Sequence, residues 1–496
     1  MSALRMPRVF SEHMVLQREV EAPVWGWAEP GVEIRVTLAG SSVSTRAGDA
    51  GLWQVKLPPQ PAGGPHILTV AGRTTLTLGD VMIGEVWVCS GQSWMTWEMD
   101  RVQDAEREIA AADHPSIRMF NVKWPITSLE PAVDCEGAWT VSTPGTVGAW
   151  SGVGYYFARR LHEELGVPIG MLHSSVPGTT VWAWSDRAAL ENAPQDCALC
   201  GTTPKEAVES LKGRFEDFSR EFHAANSISL RDWLGACDAA RTQGAPLPLP
   251  PVIPPLKDPR DYNQHLPTLL YNGMVAPLVP YAVKGVIWWQ GGGEGAAAYR
   301  KLFPTMIKGW RRNWDLGELP FYFVQRPNLK KGAYGCGDLA AFREAQTAAL
   351  QLPRTGMVVA IDLGTADDLH PTNMRDFGYR LALQAEAKTY GREVLCDGPH
   401  YARMEIQGSS LRLFFTPDEM GLHIRKGDKV LKGFTLAGLD RKFVTAKALI
   451  EGQSLVVKSD KVPSPVALRY AWSENPACNL VGPTGLPAAP FRTDSW

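Results

Sequence analysis

The sequence lacks long apolar runs, and it lacks an excess of charge of either sign. No stretch approaches the ~18–20 apolar residues that a membrane-spanning helix requires, so we expect no contact with a membrane interior. Fifty lysines and arginines face 52 aspartates and glutamates, which leaves no basic excess for nucleic acid or for an anionic membrane surface. We therefore expect a globular protein with neither a nucleic-acid partner nor a membrane partner.

Cysteine is scarce, with eight residues scattered through 496, which fits buried thiols better than a disulfide framework. Cys197 and Cys200 have the spacing of a zinc or redox pair, but no second such pair and no histidine pair follows. We therefore expect no metal site. The N-terminus also lacks the apolar core of a signal peptide, which indicates either a cytoplasmic protein or one whose signal peptide has been removed.

Turn-forming and aromatic residues, by contrast, are abundant. The 47 glycines and 38 prolines indicate many turns and a large β content, because apolar runs continue from end to end of the chain. The sequence also has 18 tryptophans, whose flat rings suit contact with sugars. Most tryptophans pack in protein cores, so this count alone is only a hint of carbohydrate binding.

The apolar patterning divides the chain into three predicted domains. Residues 1–80 contain short alternating strands between turns, which predicts an N-terminal β-sandwich. In residues 81–395 apolar strands alternate with helices, which is typical of a mainly parallel sheet covered on both faces. An insertion at about 203–260 is predicted to be helical and then proline-rich, and β patterning returns in 396–496. In the central part we predict strands within 86–89, 169–172, 285–289, 321–324 and 357–361, and helices within 153–165, 341–352 and 374–390.

The first candidate reactive group follows the strand at 86–89, where the chain reads Ser90-Gly91-Gln92-Ser93. Ligands bind at the carboxyl ends of strands in a parallel sheet, so Ser93 is a candidate nucleophile. Backbone N–H groups of the turn, including that of Ser93, can also point at a developing oxyanion. A turn serine or a helix cap fits the same motif, and the motif alone leaves these possibilities open.

The second candidate is His370, in the segment Asp367-Asp368-Leu369-His370 after the strand ending near Ile361. Asp368 can orient the imidazole within one loop, and the imidazole can then take a proton from a serine. We expect the neighbouring carboxylate to hold the pKa of His370 up from the ordinary ~6.5. A solvent-facing loop histidine is the alternative interpretation of this segment.

A third segment, Gln290 to Gly295, has four glycines after a strongly apolar strand. These glycines allow the backbone to approach a ligand closely. The segment does not match the phosphate-binding Gly-x-Gly-x-x-Gly motif, because we find neither the helix spacing nor the acidic partner that this motif requires.

Seven segments, in the same order along the chain, resemble the bacterial sialate O-acetylesterase-like proteins, which are carbohydrate esterases of the SGNH hydrolase superfamily. The resemblance implies a flavodoxin-like catalytic domain with a parallel sheet, flanked by N-terminal and C-terminal β-sandwich domains. It implies a serine esterase that removes acetyl groups from sugar hydroxyls, needs no cofactor, and meets its substrate in the periplasm or outside the cell. The segments are Phe10–Gln17, Trp25–Trp27, Gly84–Trp87, Leu270–Met274, Leu302–Pro304, Pro320–Gln325 and Phe491–Asp494.

The resemblance also assigns roles to individual residues. It implies that Ser93 is the nucleophile, His370 the base and Asp368 the acid that orients the base. Backbone N–H groups of Ser93, Gly178 and Gly291 are the expected oxyanion donors. Independently of the resemblance, we expect substrate-binding side chains at Gln92, Trp94, Trp97, Trp182, Gln290 and Glu294, although packing in the core remains an alternative for the tryptophans.

The chain departs from the family pattern around these residues. Trp94 replaces an asparagine, and Gly292, Gly293 and Glu294 stand where the family has Glu-Ser-Asn, whose asparagine amide is the usual oxyanion donor. Pro177 removes one N–H from the usual Gly-Gly-Thr, and Trp182 occupies a position that is often glutamate. The residues that relay protons therefore match the family, whereas the groups that stabilise the anion do not.

The sequence thus favours an acetylesterase for acetylated carbohydrates that works through an acyl-enzyme on Ser93. One alternative is a glycan-binding homologue with impaired catalysis. Another is glycoside hydrolysis by Glu294, paired with Asp367 or Asp368 at a carboxylate separation of roughly 5–9.5 Å. The sequence determines neither the sugar, nor the hydroxyl position, nor the oligomeric state.

Overall fold

The computed structural model of the chain describes residues 4–123, 127–194, 202–243, 245, 248, 264–330, 338–417 and 421–496. Its N-terminal part consists of strands in which buried and exposed residues alternate, as Ile34 and Val36 do with Arg35. This alternation lets each strand cover a core with one face. The strands are β1 (Val15–Gln17), β2 (Ala22–Trp27), β3 (Glu33–Leu38), β4 (Ser41–Arg46), β5 (Leu52–Leu57), β6 (Gly63–Ala71) and β7 (Thr75–Gly91).

The central part alternates strands with helices. Its strands are β8 (His114–Val122), β9 (Gly137–Ser142), β10 (Ile169–Ser175), β11 (Gly285–Trp289), β12 (Phe321–Val324) and β13 (Thr355–Val358). Its helices are α1 (Ser93–Thr96), α2 (Ala105–Ala110), α3 (Gly152–Leu165), α4 (Arg187–Glu191), α5 (Pro204–Thr242), α6 (Ala296–Trp314), α7 (Leu339–Thr347) and α8 (Met374–Lys388).

These strands form one sheet in the order β13-β12-β11-β7-β10-β8-β9. All neighbours are parallel except β8 and β9, which are antiparallel. Residues of β11 alternate between two cores: Val286 and Trp288 pack into the core that contains Phe303 of α6. Ile287 and Trp289 pack into the core formed with α3 and α8. Burial on both faces explains the continuous apolar runs, and it confirms the predicted α/β fold with a parallel sheet.

Strand β7 joins the N-terminal and central parts. Its first half pairs antiparallel with β6, and its second half pairs parallel with β10 and β11. The predicted boundary between residues 80 and 81 therefore lies inside a strand of 17 residues. The division into domains remains a prediction.

The C-terminal part is antiparallel and has its own core around Leu413, Leu436 and Leu468. Its sheets have the orders β14-β15-β20-β19, β18-β17-β21-β23 and β16-β22, which confirms the predicted return of β structure. The strands are β14 (His400–Gln407), β15 (Ser410–Thr416), β16 (His423–Ile424), β17 (Phe434–Ala437), β18 (Val444–Thr445), β19 (Lys447–Glu451), β20 (Ser454–Lys458), β21 (Ala467–Tyr470), β22 (Leu480–Val481) and β23 (Phe491–Arg492).

One buried side chain, Arg343 of α7, connects this C-terminal part to the central sheet. Its guanidinium donates to the carbonyls of Ser473 and Glu474 at 2.7 and 2.8 Å. It also donates to the carbonyls of Arg326 and Pro327 at 2.8 and 2.9 Å. Arg343 therefore links the segment that follows β12 to the C-terminal part through hydrogen bonds to both.

Two expectations concern what the structure does not contain. Among the described residues, no helix combines the length and the apolar character needed to cross a membrane. The same residues contain no group of three or more histidine, cysteine, aspartate or glutamate side chains that is able to hold a metal ion. Cys197, Cys200 and most of the predicted proline-rich tract lie outside the described residues.

Candidate active site

Ser93 lies at the carboxyl end of the sheet because the chain turns sharply after β7. Gly91 has a φ of +139°, and a Cβ there would come within 2.1 Å of the carbonyl oxygen of Trp289 on β11. Only glycine permits this close passage of two strands. The helix α1 then begins at Ser93.

His370 reaches Ser93 from the loop that follows β13. Its Nε2 lies 2.8 Å from the Oγ of Ser93, so the two side chains share a hydrogen bond. Trp97 stacks on the imidazole with ring centroids 4.7 Å apart and planes inclined by 10°. The indole N–H of Trp94 donates to the carbonyl of Leu369 at 2.6 Å, which fixes the loop beside the histidine. The structure thus brings together the two residues predicted to relay the proton.

Asp368 contacts His370 through the backbone. Its Oδ1 accepts a hydrogen bond from the amide N–H of His370 at 2.8 Å, and the residue is exposed. Burial lowers the pKa of His370 more than the charge of Asp368 raises it, and the charge of Arg326 lowers it further. The expectation that the carboxylate holds this pKa up is therefore wrong, because loss of hydration outweighs one exposed charge.

A cavity of about 450 Å³ opens over Ser93. Gln92, Trp94, Gly178 and Gly291 also line it, so several predicted site residues meet in one place. Among the described residues, its lining does not include His370 or Asp368, of which His370 reaches Ser93 from beside the cavity. The lining also lacks Trp97, Trp182, Gln290 and Glu294.

Each of the three predicted tryptophans makes a contact within the protein, but only Trp94 is buried. Trp94 is only 1% exposed and stacks on Trp289 with centroids 5.5 Å apart. Trp97 covers the imidazole of His370, and the indole N–H of Trp182 donates to the carbonyl of His265 at 2.8 Å. Trp94 therefore forms a packed wall of the cavity. Sugar binding by these residues remains a prediction.

Two glutamines tie the turns after β10 and β11 together. With its amide oriented so that both polar atoms are satisfied, Gln92 donates to the Thr179 carbonyl at 3.1 Å and accepts from the Gly291 N–H at 3.2 Å. Gln290 also donates to the Thr179 carbonyl, at 2.9 Å. The Gly291 N–H is thus engaged by Gln92, which competes with its predicted part in binding an oxyanion. Gly178, with a φ of +72°, lines the cavity.

The carboxylate of Glu294 is directed into the protein. Its Oε1 accepts a hydrogen bond from the backbone N–H of Val181. Its Oε2 is buried and has no hydrogen-bond partner among the described residues. The residue as a whole is only half-buried, but loss of hydration at the carboxylate raises its pKa to about 8. At neutral pH this group is therefore mostly a neutral carboxylic acid.

A buried chain of hydrogen bonds, which the sequence analysis missed, runs beneath α1. The Oγ1 of Thr96 lies 2.8 Å from the Oγ of Ser175, which lies 2.7 Å from Nε2 of His173. The Nδ1 of His173 lies 2.9 Å from Oδ1 of Asn121. Burial lowers the pKa of His173 to about 4, so this ring is neutral at pH 7. A neutral ring that donates from Nδ1 to Asn121 accepts the Ser175 hydroxyl at Nε2, which anchors the helix carrying Ser93.

Arg326, which directly follows the matched segment ending at Gln325, is a site residue that the sequence did not predict. Arg326 is 5% exposed and lines the cavity together with Ser93. Its guanidinium carbon lies 4.8 Å from the ring centroid of Trp94. A signal was present, since a cation just after an apolar strand of a parallel sheet lies where ligands bind.

Comparisons with known proteins place the chain among carbohydrate esterases. A family profile described as a carbohydrate esterase, sialic acid-specific acetylesterase, matches residues 261–386. The sialate O-acetylesterase of Rattus norvegicus is 29% identical, over 98% of this chain and 94% of the rat protein. The sialate O-acetylesterase of Homo sapiens is also 29% identical, over 98% of this chain and 92% of the human protein.

A solved structure extends the comparison to the whole chain. The crystal structure of a carbohydrate acetylesterase from Xanthomonas citri is 35% identical and covers 100% of both chains, with a TM-score of 0.82. Its likeness therefore includes the N-terminal and C-terminal β regions as well as the central sheet. The chain belongs to the sialate O-acetylesterase-like family of carbohydrate esterases, and it is a hydrolase of carboxylic ester bonds.

Proposed function

We propose that this protein removes O-acetyl groups from sugars through an acetyl-enzyme on Ser93. The observation that carries the proposal is the 2.8 Å hydrogen bond between Oγ of Ser93 and Nε2 of His370 beside a cavity of about 450 Å³. A serine paired with a neutral imidazole is an activated nucleophile, because the ring can accept its proton during attack. The lowered pKa of His370 keeps the ring in this neutral form at pH 7.

Acylation follows from this arrangement. The Oγ of Ser93 attacks the acetyl carbonyl carbon, its proton moves to Nε2 of His370, and the carbonyl electron pair moves onto oxygen. When the tetrahedral intermediate collapses, the bond from carbon to the sugar oxygen breaks. The imidazolium of His370 gives its proton to the departing sugar oxygen, which leaves acetyl-Ser93 and a free hydroxyl group.

Deacylation repeats the same steps with water. A water molecule attacks the acetyl carbonyl while His370 takes one of its protons. Collapse of the second tetrahedral intermediate breaks the bond to Oγ of Ser93, which receives the proton from His370. One ester and one water have then become acetate and a sugar hydroxyl, and the enzyme is unchanged.

The substrate class is supported by the relatives and by the cavity. The matched relatives are named as acetylesterases of sialate or of carbohydrate. The cavity volume lies within the roughly 300–1,000 Å³ that small-molecule sites usually have. An acetyl group with its sugar ring fits this range.

The two alternatives from the sequence find no specific support. Glycoside hydrolysis requires a carboxylate that faces the substrate, whereas Glu294 is directed at the backbone of Val181. Loss of catalysis would leave the serine and the histidine without a common function, yet they share a hydrogen bond.

The test compares Ser93→Ala with Ser90→Ala, using acetate release from acetylated sugars. Ser90 lies three residues earlier, is buried in β7, and its Oγ has no hydrogen-bond partner in the described part of the chain. We expect Ser93→Ala to lose nearly all activity with an unchanged Tm, whereas Ser90→Ala should keep its activity. A serine-directed organophosphonate should add mass to the peptide containing Ser93. An active Ser93→Ala variant, or labelling elsewhere, would contradict the proposal.

A further inference from the structure

Arg326 presents a positive charge in the cavity that opens over Ser93. Its side chain is nearly buried, and it lines the same cavity as Ser93. Its charge also reaches His370, whose pKa it lowers. In a site with little water, one fixed cation acts far more strongly on a neighbouring charge than it would in solvent.

The glycine turn after β11 makes room for this guanidinium. A Cβ on Gly292 would come within 2.9 Å of Nη1 of Arg326. A Cβ on Gly291 would come within 2.8 Å of its Cδ. Side chains at these two positions would collide with the arginine, so the absence of side chains lets Arg326 lie flat against the turn.

Residues of α7 hold the backbone of Arg326 in place. Its N–H donates to Oε1 of Gln346 at 2.8 Å, and its carbonyl accepts from Nε of Arg343 at 2.8 Å. Gln346 also donates to the carbonyl of Gln290 at 3.3 Å, at the start of the glycine turn. The arginine and the turn are therefore fixed to one another before any substrate binds. Donors fixed in advance stabilise a developing charge without the cost of reorganisation.

The departures from the family pattern also lie together in space. Trp94 stands where the family has asparagine, and it carries the guanidinium of Arg326 over its ring. Gly292 stands where the family has glutamate, and a Cβ at this position would come within 2.9 Å of Nη1 of the same guanidinium. Glu294, at the position of the missing asparagine donor, is directed at Val181. Two of the differences thus lie against Arg326, and a third, Glu294, supplies no amide donor to the site.

We propose that the guanidinium of Arg326 donates hydrogen bonds to the ester carbonyl oxygen as it becomes an oxyanion, in place of the asparagine amide that this chain lacks. The inference rests on the proposed acetyl-enzyme at Ser93. When Oγ of Ser93 bonds to the carbonyl carbon, the π electron pair moves onto the carbonyl oxygen. The negative charge that forms there is opposed by the N–H groups of Arg326, and it disappears when the sugar oxygen leaves.

The test uses Arg326→Met and Arg326→Lys in the full-length protein, with p-nitrophenyl acetate as the probe. This ester carries no negative charge that an arginine could recognise before the reaction begins. We expect Arg326→Met to lower kcat about 10²- to 10³-fold with little change in KM, as when one oxyanion donor is lost. Arg326→Lys keeps the charge but loses the planar, forked arrangement of N–H donors. Its kcat should therefore lie between those of Arg326→Met and the wild type. The control is Arg300→Met, which removes an arginine that is half-exposed and pairs with Glu344 at 2.7 Å.

A pH profile separates electrostatic action from mere packing. Removing the charge of Arg326 should raise the pKa of His370, so the acid limb of kcat/KM should move to higher pH in Arg326→Met. Arg326→Lys should leave the limb closer to its position in the wild type, and Arg300→Met should leave it unmoved.

Two results would overturn the inference. The first is an unchanged kcat for Arg326→Met on p-nitrophenyl acetate, including the case where only KM for carboxylate-bearing sugars rises. The second is a lower kcat with an unmoved acid limb, which indicates packing alone. Failure of the acetyl-enzyme itself is detected separately, because the wild type would then not be labelled at Ser93 by the organophosphonate.

Discussion

The carboxylate of Glu294 accepts a hydrogen bond from the backbone N–H of Val181, which ties the turn after β11 to the turn after β10. Both turns border the cavity over Ser93, through Gly178 on one side and Gly293 on the other. A neutral carboxylic acid fits this position, because burial raises its pKa to about 8. Glu294 therefore supports the shape of the site without facing the substrate.

This position makes stability depend on pH. Between the ordinary pKa of 4.5 and the raised value of about 8, the unfolded chain has lost the proton of Glu294 while the folded chain retains it. The folded state binds more protons, so the free energy of unfolding should fall as pH rises, by up to ~1.4 kcal/mol per pH unit. Glu294→Gln removes this titration. The Tm of the variant minus that of the wild type should therefore increase from pH 5 to pH 8.

The same variant tests the catalytic alternative. Glutamine keeps the acceptor for Val181 and leaves the cavity unchanged, so kcat for ester hydrolysis should stay within a few-fold of the wild type. A constant difference in Tm between the variant and the wild type from pH 5 to pH 8 would contradict the buried neutral acid. Loss of activity on a glycan would assign the chemistry to the carboxylate.

The rate should follow the protonation of His370. Because its pKa is lowered, mainly by burial, kcat/KM should already be high at pH 6.5 and should fall only at more acidic pH. Asp368→Asn removes a charge that raises this pKa, so the acid limb should move to still lower pH. The shift should be small and should shrink with added salt, because the carboxylate is exposed.

Asp367→Asn is the matched control for Asp368→Asn. It removes the same charge one residue earlier, from a side chain that is exposed and lies 3.9 Å from Lys330. If both variants shift the limb equally, the hydrogen bond between Asp368 and the His370 amide has no special effect on the imidazole.

His173 should produce the opposite pH dependence of stability. Its pKa is lowered from 6.5 to about 4, so within this window the unfolded chain binds the proton and the folded chain does not. The free energy of unfolding should therefore fall as the solution is acidified, by up to ~1.4 kcal/mol per pH unit. His173→Asn should be less stable than the wild type at pH 7 and should lose less Tm between pH 6.5 and pH 4. His423→Asn, at an exposed histidine of β16, is the control, and an equally steep loss in His173→Asn would contradict the assignment.

Sequence patterns predicted the strands of the site and the reactive residues that directly follow them along the chain. Strands β11 and β12 are continuous apolar runs, and Ser93 and His370 each follow a strand of the parallel sheet. Strand ends of a parallel sheet meet at one edge, so the sequence predicts that such residues come close. The pairing of Ser93 with His370 was implied by the family resemblance. The two residues are 277 positions apart in the sequence, so no local motif indicates that they are in contact.

The sequence could not predict the direction in which a side chain points, or the total burial of the side chains around it. A turn of glycines does not reveal which way Glu294 points. A cation after a strand, such as Arg326, indicates a position near the ligand but not how deeply the side chain is buried. Helix α6 was missed because Pro304 lies in its interior, where proline costs about 3 kcal/mol. Burial of Phe303 and Trp310, at roughly 1.5–3 kcal/mol for each such large side chain, exceeds this cost.

Arg343 provides a final prediction, on how the C-terminal β region is attached to the site. Burial lowers the pKa of its guanidinium to about 10, so it is still charged at pH 7, and it satisfies four backbone carbonyls. Arg343→Met has a similar length but no donors, which leaves the carbonyls of Arg326 and Pro327 buried without this partner, whereas water can reach those of Ser473 and Glu474. Unsatisfied groups of this kind cost about 1–3 kcal/mol each, so the free energy of unfolding should fall by roughly 2 kcal/mol or more.

Two further measurements distinguish this attachment from general packing. Arg343→Lys keeps the charge and part of the hydrogen bonding, so its Tm should lie between those of Arg343→Met and the wild type. Because Arg343 holds the carbonyls of Arg326 and Pro327, kcat on p-nitrophenyl acetate should fall in Arg343→Met even at temperatures where the protein is fully folded. An equal Tm for Arg343→Met and the wild type would mean that solvent or other groups satisfy these carbonyls. The C-terminal β region would then not depend on Arg343 for its attachment to the site.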